Sequence, residues 1–191
     1  MNRAVKLLLA ASLLLTAGQT WADESLFADG GELYVHGALR ENTCRLEMDS
    51  AWQAVDLGDT ARADVNMVGK AARPVIVKLY LRDCPEIATQ ATNLTPLTHT
   101  QSSQQPGYQA RFVAKADNDN PDLIGVTGAT GIGLRLRDSR RQTVKLSRTS
   151  DTVLLSPGQN VVTYTLAPER TAAPLKAGAY YALINFSMIY Q

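Results

Sequence analysis

The chain has 191 residues, 45% of them apolar and 19% charged, enough for one buried core and too many apolar residues for a disordered chain. Its 19 Lys and Arg against 18 Asp and Glu exclude the overall basic field of a dedicated nucleic-acid binder. Two cysteines exclude a disulfide-dense mini-protein and a four-cysteine zinc site, and His36 and His99 lie far apart with no metal-ligand spacing.

The chain opens with a short basic stretch, Arg3 and Lys6, followed by the apolar run Leu7 to Ala17. Eleven apolar residues are too few for a membrane span, which needs about 20. Thr20-Trp21-Ala22 places small residues where a signal peptidase requires them, so residues 1–22 are expected to be a secretory signal peptide. Cleavage after Ala22 removes two basic residues and leaves 17 against 18 acidic ones. No later segment is apolar for long enough to anchor the chain, so no stable membrane insertion is expected. Export to the periplasm or beyond places Cys44 and Cys84 under oxidising conditions, where two lone cysteines are expected to pair. The loop so closed is worth about 3–5 kcal/mol. Two free buried thiols are the alternative.

Along the mature chain the apolar residues recur with period two, the signature of half-buried strands. The candidates, in order, begin with Leu33, Val35 and Gly37, then Val55 and Leu57. Pro74 opens a run with Val75, Val77, Leu79 and Leu81 on one face and Ile76, Lys78, Tyr80 and Arg82 on the other. Ala110, Phe112 and Ala114 follow, then Ile132, Leu134 and Leu136, then Val144 and Leu146, then Val162, Tyr164 and Leu166. Last comes Tyr180 to Tyr190, with Ala182, Ile184, Phe186 and Met188 on one face. Turn signals at Asp117–Pro121, Asp138-Ser139, Ser156-Pro157-Gly158 and Lys176-Ala177-Gly178 separate them. Glu86 to Gly107, rich in Thr, Gln and Ser, reads as a long polar surface excursion. Seven or so short strands with such punctuation predict an all-β antiparallel sandwich.

Catalytic constellations are wanting. Thr127-Gly128-Ala129-Thr130-Gly131-Ile132-Gly133 is one residue short of a dinucleotide-binding loop, and the residues that follow alternate as a strand where a phosphate site needs a helix N-terminus. Neither GxSxG nor HExxH occurs, and His36 and His99 read as surface imidazoles. No cofactor and no metal is expected.

The two ends of the chain carry the remaining information. The last strand is long, apolar and strongly β-prone, a hazard at a sheet edge unless something pairs with it. Asp23 to His36 forms an N-terminal arm that carries Phe27, Leu33 and Val35 with nothing of its own to cover. Gly37 with Cys44, Val55-Asp56-Leu57-Gly58, Leu79 to Cys84 (LYLRDC) and Gly131 to Asp138 (GIGLRLRD) follow in order. Gly178 stands fourteenth from the end and Tyr190 next to last. In these features the chain resembles the pilin subunits of chaperone–usher, type 1-like fimbriae, over almost all of its mature length.

That resemblance implies an incomplete immunoglobulin-like Greek-key sandwich lacking its last strand. A donor strand from a periplasmic pilus chaperone, and then from a neighbouring pilin subunit at an outer-membrane usher, completes it. Strand addition of this kind is a known mode of peptide recognition, for which pilins are an established example. The implied division is a signal peptide over 1–22, a donor-strand extension over 23–36 and a pilin domain over 37–191. The implied donor residues are Phe27, Gly31, Leu33 and Val35, which share one parity with Asp29. The implied acceptor residues are Gly178, Ala182, Ile184, Phe186, Met188 and Tyr190. The expected destination is a fimbrium on the bacterial surface, serving cell adhesion, with a minor subunit favoured by the Gly-Gly arm and the polar excursion. The competing expectation is a self-contained periplasmic or surface carbohydrate-binding sandwich, with Glu86 to Gly107 and Tyr108 lining a shallow site.

Overall fold

A computed structural model describes residues 33–36, 43–94 and 97–191. The chain divides into two units, Met1–Arg40 and Glu41–Gln191. In the first, the described residues 33–36 are irregular chain with Leu33, Tyr34 and Val35 exposed, and the Tyr34 ring stacks on His36 at 5.6 Å. The alternation at Leu33 and Val35 therefore forms no strand here. An extended segment gains its hydrogen bonds only from a neighbouring strand.

The second unit is a sandwich. Its strands are β1 (Arg45–Leu46), β2 (Val75–Cys84), β3 (Thr89–Leu94), β4 (Leu97–Ser102), β5 (Gly107–Ala114), β6 (Ile124–Gly125), β7 (Ile132–Arg137), β8 (Val153–Leu154), β9 (Gly158–Arg170) and β10 (Ile184–Tyr190), with one short helix, α1 (Met48–Ala51). One sheet runs β1-β2-β9-β7-β6, a second β10-β5-β8, and β3 and β4 form a hairpin. All pairings are antiparallel. The core between the two larger sheets holds Leu79 and Leu81 of β2, Ala110 and Phe112 of β5, Leu134 and Leu136 of β7, and Val162, Tyr164 and Leu166 of β9. These are the inward parities read from the sequence. Cys44 and Cys84 are joined by a disulfide that ties the start of β1 to the end of β2.

Four expectations need correction. Val55 and Leu57 form no strand: the Asp56 carboxylate accepts a hydrogen bond from Gly58 N at 2.8 Å, and Gly58 takes φ +63°. The resulting turn breaks the extended run while Leu57 still reaches the core. Val144 and Leu146 lie on the crossover that leaves the first sheet at Arg137 and reaches β5, where Ser147 N donates to Phe112 O. β7 is covered on both faces rather than half-buried, because Gly133 packs on Leu123 and Arg135 pairs with buried Glu169.

The fourth concerns Glu86 to Gly107, which is largely the β3–β4 hairpin. Its inward positions Thr89, Ala91 and Asn93 are buried. Asn93 Oδ1 accepts from Thr152 N at 2.8 Å, and Thr89 Oγ1 donates to Gln105 O at 2.7 Å. The alternation was invisible to a hydrophobic scan because two of its three buried residues are polar.

Candidate functional site: a groove open to the core

The second sheet ends at β10, which pairs with β5 from Ile184↔Ala114 to Tyr190↔Tyr108. The side of β10 away from β5 has no partner strand among the described residues. Its inward side chains Ile184, Phe186, Met188 and Tyr190 touch the core yet stay half-exposed, whereas the inward residues of β5, β7 and β9 are mostly buried outright. Beside them a groove of about 1350 Å³ runs down to the core. Its floor is Leu79, Phe112, Leu134, Leu136, Tyr164 and Leu166. Phe112 spans the floor, edge-on to Tyr164 at 4.8 Å and stacked on Phe186 at 6.0 Å.

The opposite bank is built differently. β1 pairs with β2 only at Arg82 and Leu81. Beyond that point the exposed edge of β2 is closed by single groups: Glu47 N donates to Tyr80 O at 3.0 Å, Tyr80 N donates to Ser50 Oγ at 2.8 Å, and Gln53 Nε2 donates to Lys78 O at 2.8 Å. Val55, Leu57 and Trp52 continue this bank, with Trp52 83% exposed. One bank is thus a backbone edge covered at Tyr80 and Lys78 by Glu47 N, Ser50 and Gln53, and the other is the edge of β10 away from β5.

The candidate acceptor residues are brought together. Gly178 and Ala182 lie on the irregular run before β10, which joins Thr127 through mutual 3.0 Å hydrogen bonds with Tyr181. Gly178 lies where two backbones cross: a Cβ there would stand 2.6 Å from Gly128 O, and Gly128 itself takes φ +104°. The strand predicted over 180–190 starts only at Ile184 for this reason. Of the candidate donor residues, Leu33 and Val35 are exposed chain in the first unit, while Phe27 and Gly31 fall outside the described residues.

Sequence reasoning missed Trp52, Ser50 and Gln53, and named Tyr180 only as the start of the last run. Tyr180 shares the parity of Ala182 and Ile184, and its hydroxyl lies 3.2 Å from Thr60 Oγ1, across the end of the groove. The other three lie in a polar connection with no periodicity. Burial pushes the phenols of Tyr164, Tyr108 and Tyr190 up from their ordinary value. These phenols therefore stay neutral through physiological pH. The Thr127–Gly133 string turns directly into β7, with Gly128 and Gly131 at positive φ, so its glycines serve a backbone crossing.

A family model described as "Fimbrial protein" matches residues 33–191. The PRS fimbrial minor pilin protein of Escherichia coli is 27% identical over 175 residues, spanning 90% of this chain and 82% of that protein. The P pilus rod subunit PapA superposes with a TM-score of 0.61 at 20% identity, over 78% of this chain and 100% of that one. A chain from a chaperone–usher pilus gives 0.62 at 19% identity, over 85% and 96%. The shared fold is the incomplete immunoglobulin-like sandwich.

Proposed function

We propose, from the premise that this chain belongs to the fimbrial protein family, that it is a minor structural subunit of a chaperone–usher fimbria and that its groove receives a strand from another protein. The observation that carries this reading is β10: four inward side chains half-exposed beside a groove continuous with the core. A strand laid along β10 would pair its free edge and cover Ile184, Phe186, Met188 and Tyr190 together. The chaperone occupies the groove first, and a neighbouring subunit's arm replaces it at the usher. The product is a fimbrium on the cell surface.

On this reading residues 23–36 are the arm this chain offers to its own neighbour, after removal of residues 1–22, and residues 37–191 are the acceptor domain. Phe27, Gly31, Leu33 and Val35 share the parity that enters the neighbour's groove. Each large apolar side chain so buried contributes about 1.5–3 kcal/mol. Register is strict, because a one-residue slip turns every side chain outward. The exposure of Leu33 and Val35 in the isolated chain supports a segment whose partner is elsewhere. The role is structural and carries no catalytic step.

The test is Leu33→Asp in the full chain. The variant is expected to be exported and to accept a donor normally, and to fail to extend the fibre through its own arm, read as loss of incorporated subunit by immunoblot of sheared fimbriae. Incorporation at the wild-type level would overturn the assigned register. The carbohydrate-binding alternative loses its motivating feature, since the supposed excursion is a hairpin anchored by buried Thr89 and Asn93.

A further inference from the structure

The charges of this nearly neutral chain are unevenly placed. Between Arg135 and Arg148 stand Arg135, Arg137, Arg140, Arg141, Lys145 and Arg148, with Asp138 as the single acid. Arg135 is paired with Glu169 and Lys145 with Asp122. The guanidinium groups of Arg137, Arg140, Arg141 and Arg148 are exposed and make no hydrogen bond or ion pair among the described residues. Asp138 does not neutralise them by direct pairing: its Oδ1 accepts from Arg140 N at 2.9 Å and Gln142 N at 2.8 Å, closing the turn. That turn brings Arg137, which bridges to Thr143, alongside Arg140 and Arg141. Further along the same crossover Thr149 bridges to Arg111 of β5, whose guanidinium is likewise exposed and unpaired. The crossover and the adjoining Arg111 of β5 thus form a ridge with five guanidinium groups that have no partner among the described residues.

We propose that this ridge binds a sulfated polysaccharide. A guanidinium presents a planar pair of N–H donors that matches sulfate and carboxylate oxygens, and it keeps its charge at every physiological pH. No large apolar side chain is exposed between Arg135 and Thr152. A protein partner would need an apolar or aromatic centre to dock on, and single-stranded nucleic acid would need rings to stack on. A hydrophilic, linear, heavily charged polymer needs neither. It binds by displacing counterions, and several guanidinium groups close together on one exported chain give it several such contacts at once. The ridge lies on the β7–β8 crossover, apart from the edge of β10, so filling the groove leaves it free.

The experiment uses assembled fimbriae containing the full chain, with heparin as the probe, titrated over a range of NaCl concentrations around about 0.15 M. Two non-overlapping variants are compared: R137Q/R140Q/R141N, in which Asn suits the φ of +64° at position 141, and R111Q/R148Q. R62Q, on the connection between α1 and β2, is the control. Wild-type and R62Q fimbriae are expected to bind alike. The triple variant should bind at least about tenfold more weakly, with the slope of log affinity against log salt reduced by about one per arginine removed. Either multiple variant supports the proposal if the other fails to assemble. Unchanged binding in both overturns it. Equal competition by duplex DNA or by desulfated heparin overturns the choice of ligand. If heparin is not retained but the variants abolish side-by-side association of fimbriae, the ridge belongs to a second copy's acidic segment and the proposal falls.

Discussion

Supplying the missing strand in the same polypeptide measures how much of the core the chain lacks. The perturbation joins residues 24–36 through a flexible linker to the end of a domain beginning near Gly37. The structure sets the expected size of the effect. Three large apolar donor side chains, Phe27, Leu33 and Val35, move from water into a groove floored by Leu79, Phe112, Leu134 and Leu136. At about 1.5–3 kcal/mol each, the transfer is worth about 4.5–9 kcal/mol before any gain from finishing the burial of Ile184, Phe186, Met188 and Tyr190. For a domain of this length each kcal/mol moves the midpoint by about 2–4 °C, so the complemented form should melt about 10–35 °C higher. Area-based values are upper estimates, which makes the lower half of that range the working expectation. The assay is a thermal melt followed by circular dichroism, with sedimentation to establish that both proteins are monomeric. Two monomers melting within about 2 °C of each other would refute the argument, because a sandwich that gains nothing from a thirteen-residue arm bearing Phe27, Leu33 and Val35 has no open core to fill.

Three further outcomes follow from specific contacts, each read in the complemented domain. Gly178→Ala places a Cβ against Gly128 O, 2.6 Å away, and should lower stability by about 1–3 kcal/mol and displace the run leading into β10; an unchanged melting temperature would show that the crossing relaxes freely. Arg135→Ala leaves Glu169, 4% exposed, as an uncompensated buried charge and should cost about 3–5 kcal/mol, with the Arg135→Ala/Glu169→Leu double variant recovering most of it. The raised phenol pKa values of Tyr108 and Tyr164 make the folded state hold protons that the unfolded state releases above about pH 10. Stability from this source is complete below that pH and falls as the pH rises further, so melts from pH 8 to 11 should steepen downward near pH 10. Tyr108→Phe and Tyr164→Phe should each flatten that fall, and an identical slope in both would refute the assignment.

The elements legible in the sequence were those whose side-chain chemistry alternates with the backbone. β2, β5 and β9 announce their inward faces because Leu79, Phe112 and Tyr164 belong to apolar sets that recur with period two, with Lys78, Arg111 and Thr163 between them. β3 hides because the residue it buries deepest is Thr89 and its anchor is Asn93, so the alternation is real in space and silent in hydropathy. Val55 and Leu57 mislead in the other direction. They alternate, but Asp56 spends its carboxylate on a turn, and the apolar pair lines the groove as irregular chain. The acceptor residues on β10 were readable as a face. Nothing in the sequence, however, distinguishes an inward face that is covered from one that is half-covered. That difference belongs to the neighbouring strand, and it appeared only when β10 was found with β5 on one side alone.

The asymmetry of the two banks decides where an incoming strand can go. The groove has two banks at which a strand could add, and each is a site for unwanted association as well as for assembly. Here the β2 edge is covered at Tyr80 and Lys78 O before any partner arrives. Ser50 and Gln53, placed by α1, hydrogen-bond to Tyr80 N and Lys78 O in place of a neighbouring strand. Removing them would expose a second ladder and allow a strand to pair at the wrong bank. The β10 edge has no such cover among the described residues, and the side chains beneath it are the ones left half-wet. Hydrogen bonding and apolar burial therefore favour the same bank. A strand that pairs with β10 is rewarded by the floor of the groove in the same step, whereas one that approaches β2 meets groups that are already satisfied. The short, four-residue α1, which no periodicity predicted, thus helps cover the bank opposite β10.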